Sequence, residues 1–369
     1  MQLDSVALER LLLPQKQSCI VGFDGFVDEI IDVVRTRKDA DHYIAMEHMR
    51  EFADRISRAA GLSGGIEMVC KQTKLGGNGP ILARALLQHG YAIHYIGALG
   101  RDSIHPVYHQ FAKECASIIS LADPGITEAL EFHDGKMMLS RVASMNDVNW
   151  ISLLRKKPVR QLSSIVRQAQ LIAFTNWSSL LRMSSLIEGF MSLLEESDAR
   201  PYLFFDLADP NKRTVEDIRE VLDQMTALQL SAKVVFGMNR NESDLIARVL
   251  GIDAFQPVER AIAIRKRLNI SQVVIHPLKG AAASTVEGSW WVDGPYTPKP
   301  RLTTGAGDNF NAGYCHGLLC GLSVEESLFC GVSTSGFYVR EMHSPSTPQL
   351  LAFMQQWPQT APMHPAKTL

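Results

Sequence analysis

The sequence predicts an α/β fold: a doubly wound, mostly parallel sheet with helices on both faces. Three observations predict it. Short apolar, β-branched runs alternate with amphipathic helical stretches along most of the 369 residues. Several of these runs are too continuously apolar to leave one face in water, as befits strands covered on both sides. Single strands alternating with single helices are also the pattern of an open parallel sheet.

In chain order the strand candidates are Ser18–Phe23, Tyr91–Ala98, Leu171–Asn176, Tyr202–Leu207, Lys233–Met238 and Gln272–His276. Residues 34–74, after the first strand, are longer and more polar than a simple connection and have no clear place in the alternation. The helix Pro80–His89 has Pro in its first turn, buries Ile81, Leu82, Ala85 and Leu86, and stops at Gly90. Ala129–Leu139 reads as a hairpin turning at Asp134-Gly135, a small β flap, and Ala282–Val292 as another near Glu287-Gly288. After Gly307 a helix begins. It carries Phe310, Tyr314, Leu318 and Leu322 on one stripe and Gly313, Gly317 and Gly321 on another, where a neighbouring backbone can approach. The tail after Met342 is Pro-rich and expected to wrap the surface, with Leu350–Trp357 as one last short helix.

Composition narrows the class. Hydrophobic residues make up 46% and charged residues 21%, enough for a sizeable core. Lys plus Arg (37) nearly balance Asp plus Glu (39), so there is no broad basic surface for nucleic acid or anionic lipid. No apolar run is long enough to span a membrane, and Met1–Gln17 lacks the basic start and apolar core of a signal peptide. A cytoplasmic location is expected. The six cysteines form no Cys-x-x-Cys pair and read as free thiols, and the eleven histidines show no His-x-x-x-His spacing.

The chemistry concentrates in Arg301–Leu322, RLTTGAGDNFNAGYCHGLLCGL. Small residues at a helix start leave backbone N–H groups uncovered, and the helix dipole favours an anion there. Asp308 sits at this end. It is either an ordinary cap contributing about 1 kcal/mol or a general base beside an anion hole, taking the proton of an acceptor hydroxyl.

Thr-Thr-Gly-Ala-Gly-Asp-Asn-Phe followed by Asn-Ala-Gly resembles the C-terminal signature of the ribokinase-like (phosphofructokinase-B) carbohydrate kinases. The resemblance implies Asp308 as catalytic base and Gly305, Ala306 and Gly307 as the anion hole. Leu75–Gly100 is similar to the family's first signature, a di-glycine turn that lets the backbone approach the sugar, which implies Gly76, Gly77 and Asn78. Alone, it is a loop before a helix. Val21–Ile30 resembles the family's first strand, which ends in an Asp that binds sugar hydroxyls. Asp28 fits best and Asp24 second, with turn acids as the plain alternative. FGMNRNESDL resembles the Asn-x-x-Glu motif that arranges phosphates and hydrated Mg²⁺, implying Asn239 and Glu242, although the same residues can form a capping box. Gly280 in VIHPLKGA matches the nucleotide-contacting glycine loop, whereas His276 and Pro277 do not.

The resemblance runs from about Cys19 to about Arg340. It implies a ribokinase-like domain over residues 1–369, with a β lid drawn from parts of 24–75 and 125–143 and a tail over 343–369. It further implies ATP and Mg²⁺ as co-substrate and ion, a sugar or related polyol as acceptor, and a possible homodimer through the lid. A nucleoside, ADP as donor, or a catalytically silent ligand-binding member are the alternatives. Leu302 stands where the family has an Asp that helps hold a monovalent cation, so the resemblance stops short of that site. A nicotinamide-dependent oxidoreductase would need Gly-x-Gly-x-x-Gly after Ser18–Phe23, and Asp-Gly-Phe-Val-Asp follows instead.

Overall fold

A computed structural model of the chain describes residues 3–357. In chain order its strands are β1 (Ser18–Gly22), β2 (Phe26–Arg37), β3 (Tyr43–Ala45), β4 (Met68–Gly76), β5 (Ala92–Gly97), β6 (Ser117–Ser120), β7 (Gly125–Phe132) and β8 (Gly135–Arg141). The second half supplies β9 (Ala169–Phe174), β10 (Tyr202–Asp206), β11 (Lys233–Met238), β12 (Gln272–Ile275), β13 (Gly280–Ser284) and β14 (Ser289–Asp293).

Nine of these form one sheet in the order β14-β13-β12-β11-β10-β9-β1-β5-β6. From β12 to β6 every neighbouring pair is parallel, and β13 and β14 add an antiparallel edge. The apolar runs explain this directly. In β10, Phe204 and Phe205 point to opposite faces and each joins a different core cluster; Val235 and Phe236 of β11 do the same. A strand that must bury both faces cannot alternate apolar with polar residues.

The helix Pro80–His89 is observed as Asn78–Leu87, two residues earlier at its start. Leu82, Ala85 and Leu86 are buried as expected, but Ile81 is only half-buried and lines a cavity instead of the core. The glycine stripe of the helix Ala306–Leu319 lies against the helix Val324–Glu341, where a side chain on Gly313 would collide with Thr334 and one on Gly317 with Ser327. Gly321 instead ends the helix with φ 70°.

Residues 34–74 belong to a second sheet. They supply the end of β2, then β3, the helix Met49–Arg58 and most of β4, and join the hairpin of β7 and β8. The order is β3-β2-β7-β8, with β4 also paired to β2. This small sheet has its own apolar cluster of Ile31, Val33, Met46 and Leu130, with Phe52, Ile66 and Phe132 packed on it. The region looked too polar for the alternation because most of β4 has no core to face.

The tail forms the helix Thr347–Gln356, and Leu350, Leu351, Met354 and Trp357 bury its inner face, so this part docks on the core. Residues 358–369 of the expected tail lie outside the described residues. Among the described residues no helix is long and apolar enough to cross a membrane.

Candidate active site

The parallel strands of the main sheet end on one side, where open α/β sheets bind ligands. Asp24 follows β1, Asn176 follows β9, Asp206 closes β10, Asn239 follows β11 and His276 follows β12. The strand order reverses between β1 and β9, and here Asn176 Nδ2 donates to Asp24 Oδ2 at 2.7 Å. The first turns of the helix Ala306–Leu319 reach this row. Asn311 Nδ2 donates to Asp206 Oδ2 at 2.8 Å, and the Phe310 ring lies 4.6 Å from that of His276.

Gly305, at φ 87°, is the N-cap of that helix, and no side chain closes the end. The Ala306 amide turns back to the Thr303 carbonyl at 3.1 Å. Among the described residues the amides of Gly305 and Gly307 find no acceptor. The expected cup of Gly305, Ala306 and Gly307 therefore has two free donors, not three. Asp308, in the first helical turn, is buried and accepts from Asn78 Nδ2 at 2.8 Å. Its carboxyl is not spent as a helix cap. Burial first, and then the charge of Asp206, hold it well above the usual carboxylate range.

Gly76, Gly77 and Asn78 form the turn into the helix Asn78–Leu87, with Gly77 as N-cap at φ 98°. Asp24 lies beneath this turn. Its carboxylate accepts the amides of Asn78 (2.9 Å) and Gly79 (2.8 Å) as well as Asn176, and the residue is 0% exposed. With three donors already on it and no exposed surface, Asp24 braces the site from below and has no room for a further ligand. Asp28 instead lines a cavity. It sits on β2 between Lys74 of β4 and Thr127 of β7, and burial pushes its carboxyl up to about 6. A side chain on Gly76 would collide with the Asp28 carboxylate, which is why the di-glycine is needed there.

Asn239 and Glu242 do form a capping box: the Glu242 amide donates to Asn239 Oδ1 at 3.0 Å, and the Asn239 amide to Glu242 Oε2 at 2.8 Å. Asn239 Nδ2 also donates to Glu242 Oε1, so each glutamate oxygen accepts one bond from Asn239. Burial, the nearby charge of Asp206, and those of Asp209 and Asp308 push Glu242 up to about 9. Asp206 is itself raised to about 6, mainly by burial. Among the described residues none of Asp206, Asp209, Glu242 and Asp308 is paired with Lys or Arg. Carboxylates that raise one another's pKa without a basic partner suit a hard divalent cation, which takes oxygen ligands and keeps several of its waters.

Two cavities meet at the Thr303–Gly307 turn. One, of about 260 Å³, is bordered by Thr303, Ala306 and Gly307 and lined by Gly280, Pro295, Phe310 and Val339 among others. The second, of about 330 Å³, is bordered by Thr304 and Tyr338 and lined by Asp28, Lys74, Ile81 and Arg84. The turn is the wall between them.

Residues 10–357 match the family of prokaryotic ketohexokinases. The chain belongs to that family. It is therefore a sugar kinase, a phosphotransferase acting on an alcohol group. A ketohexokinase of Haloferax volcanii is 28% identical over 338 residues, 90% of each chain. Among solved structures, a ribokinase of Arabidopsis thaliana complexed with ribose and ATP superposes with a TM-score of 0.63 at 17% identity, covering 92% of this chain and 99% of that one. A nucleoside kinase of Methanocaldococcus jannaschii gives 0.62 at 11% identity, covering 93% and 99%. These two carry the fold, which is ribokinase-like as expected.

Reading by motif missed Asp206, Asn176, Asn311 and Tyr338. Asp206 and Asn176 had a usable signal, since each stands where a parallel strand runs out. Tyr338 had none. Its hydroxyl donates to the Thr304 carbonyl at 2.9 Å and so holds the wall between the cavities from a helix far along the chain.

Proposed function

We propose that the chain transfers the γ-phosphoryl group of ATP to a hydroxyl of a ketohexose or closely related sugar. The observation that carries this reading is the arrangement around the Thr303–Gly307 turn. An apolar cavity suited to a base lies on one side, a polar cavity lined by Asp28 lies on the other, and Asp308 follows the turn directly in the chain, bonded to Asn78. The match to ketohexokinases and the neighbour bound to ribose and ATP support the choice of acceptor and donor.

In this reading Asp28 accepts sugar hydroxyls over the Gly76-Gly77 turn, and Asn78 orients Asp308. Asp308 takes the acceptor hydroxyl's proton as that oxygen bonds to the γ-phosphorus, and the bond to the bridging oxygen breaks, releasing ADP. The free amides of Gly305 and Gly307 hold the charge that builds on the transferring group. Gly280 and the walls of the first cavity hold the nucleotide. Asn239, Glu242 and Asp206 would hold hydrated Mg²⁺, which neutralises phosphate charge when bound. An ion there would also lower the Asp308 carboxyl toward the ionised form the base needs.

The small sheet acts as the lid over the sugar, excluding water as a competing acceptor. Its edge strand β8 exposes Met137, Met138 and Leu139 (39%, 43% and 43%), and a second copy's lid is the natural cover, giving a homodimer. The test is a phosphorylation assay of the purified chain with ATP or ADP against ketoses, aldoses and nucleosides. Turnover of ketohexoses with ATP is expected; turnover of nucleosides alone, or a melting shift without turnover, would replace the reading.

A further inference from the structure

Away from the cleft, the lid sheet gathers two imidazoles and a carboxylate. Glu47 and His48 lie between β3 and the helix Met49–Arg58, and His133 lies in the turn between β7 and β8. Their ligand atoms all lie within 4.8 Å of one another, and all three residues are exposed. The two segments are distant in sequence but stitched together in space. The His133 amide donates to the Glu47 carbonyl at 2.7 Å, and the Met49 amide to Asp134 Oδ1 at 2.9 Å. The side chains are thus assembled by protein bonds before any ion arrives. Asp134 Oδ2 stands 3.6 Å from His48 Nδ1, the kind of carboxylate that holds a metal-binding imidazole from behind. Arg35 is the competitor for Glu47, but at 3.9 Å it sits closer to Glu51, at 3.2 Å.

We propose that Glu47, His48 and His133 form a lid-borne site for a divalent transition ion such as Zn²⁺, with water completing the coordination. Two imidazoles and one carboxylate suit zinc-like ions; Mg²⁺ and Ca²⁺ prefer oxygen throughout. The ion clips the β7–β8 turn to the start of the helix Met49–Arg58. From Thr127, opposite Asp28, the chain runs about 20 Å to His133 at about 3.3 Å per residue, so this ion stays clear of the reacting phosphoryl group.

The test is calorimetric titration of the metal-free chain with Zn²⁺, in excess Mg²⁺ to occupy the carboxylate cleft. About one ion per chain should bind and raise the melting temperature, since an ion held by the folded chain alone stabilises it. His48→Ala and His133→Ala should each weaken binding by at least about tenfold, no less than an outer-shell loss costs at known sites. Their melting temperatures without metal should match the parent's, because both side chains are exposed. Co²⁺ in place of Zn²⁺ should give a visible absorption band that His133→Ala removes. No Zn²⁺ binding, or binding undiminished in the double variant, overturns the proposal.

Discussion

The two cavities flanking the Thr303–Gly307 turn are built on different physics. In one, Pro295, Phe310, Val332 and Val339 give an apolar slot with a few small polar side chains, Thr297, Thr303 and Ser335. In the other, Asp28, Gln72, Lys74 and Arg84 present charge and hydrogen bonds carried partly by the small sheet. In the proposed reaction the first slot holds the nucleotide mainly by shape, and side-chain charge in the second discriminates among acceptors. Substitutions on the two sides should therefore separate, one set moving nucleotide terms and the other sugar terms.

Asp308→Asn strikes the junction and should have the largest effect, a fall in kcat of about 10²–10⁴, with nucleotide affinity near the parent's by calorimetry. Near-parental kcat would remove the general-base role. Gly307→Val places a side chain in the anion cup and should lower kcat by about 10²–10³, the usual cost of an oxyanion donor, without changing sugar KM. Asp28→Asn should raise sugar KM by about 10–100-fold, the worth of a hydrogen bond to a charged group, and leave nucleotide KM alone. If both constants rise together, the separation of sides fails.

Smaller effects sharpen the contrast. Burial holds the Asp28 carboxyl near 6. Ionised, it accepts hydroxyl protons from the sugar; protonated, it loses that capacity. Sugar KM should thus fall several-fold as pH rises through about 6 in a steady-state series at saturating nucleotide, and Asp28→Asn should flatten that dependence. Tyr338→Phe should be mildest, a several-fold fall in kcat as Thr304 loses a hydrogen bond worth about 0.5–1.5 kcal/mol, with the melting temperature nearly unchanged.

The main sheet was legible because a strand buried on both faces writes an unbroken apolar run; Lys233–Met238 is read and found with the same bounds. The helix-opening turn at Gly305 was legible because its glycine, at φ 87°, does a backbone job that few other residues can do. Ile81 was misread because helical periodicity reports which face turns inward, not whether protein or ligand fills the space. In sequence Asp28 ranks above Asp24 by motif position alone, the two being four residues apart on a strand and a turn. Only three-dimensional placement shows one saturated by Asn78, Gly79 and Asn176 and the other facing a cavity. His48 and His133 likewise become neighbours only when β7 closes onto the helix Met49–Arg58.

The hydrogen bond from Asn78 to Asp308 has a stereochemical corollary. Its amide occupies Oδ1 of the carboxylate, so in the proposed reaction the incoming alcohol must deliver its proton to Oδ2. An amide that opens one helix thereby selects which lone pairs at the start of another meet the substrate, and with them the direction from which the nucleophilic oxygen approaches phosphorus.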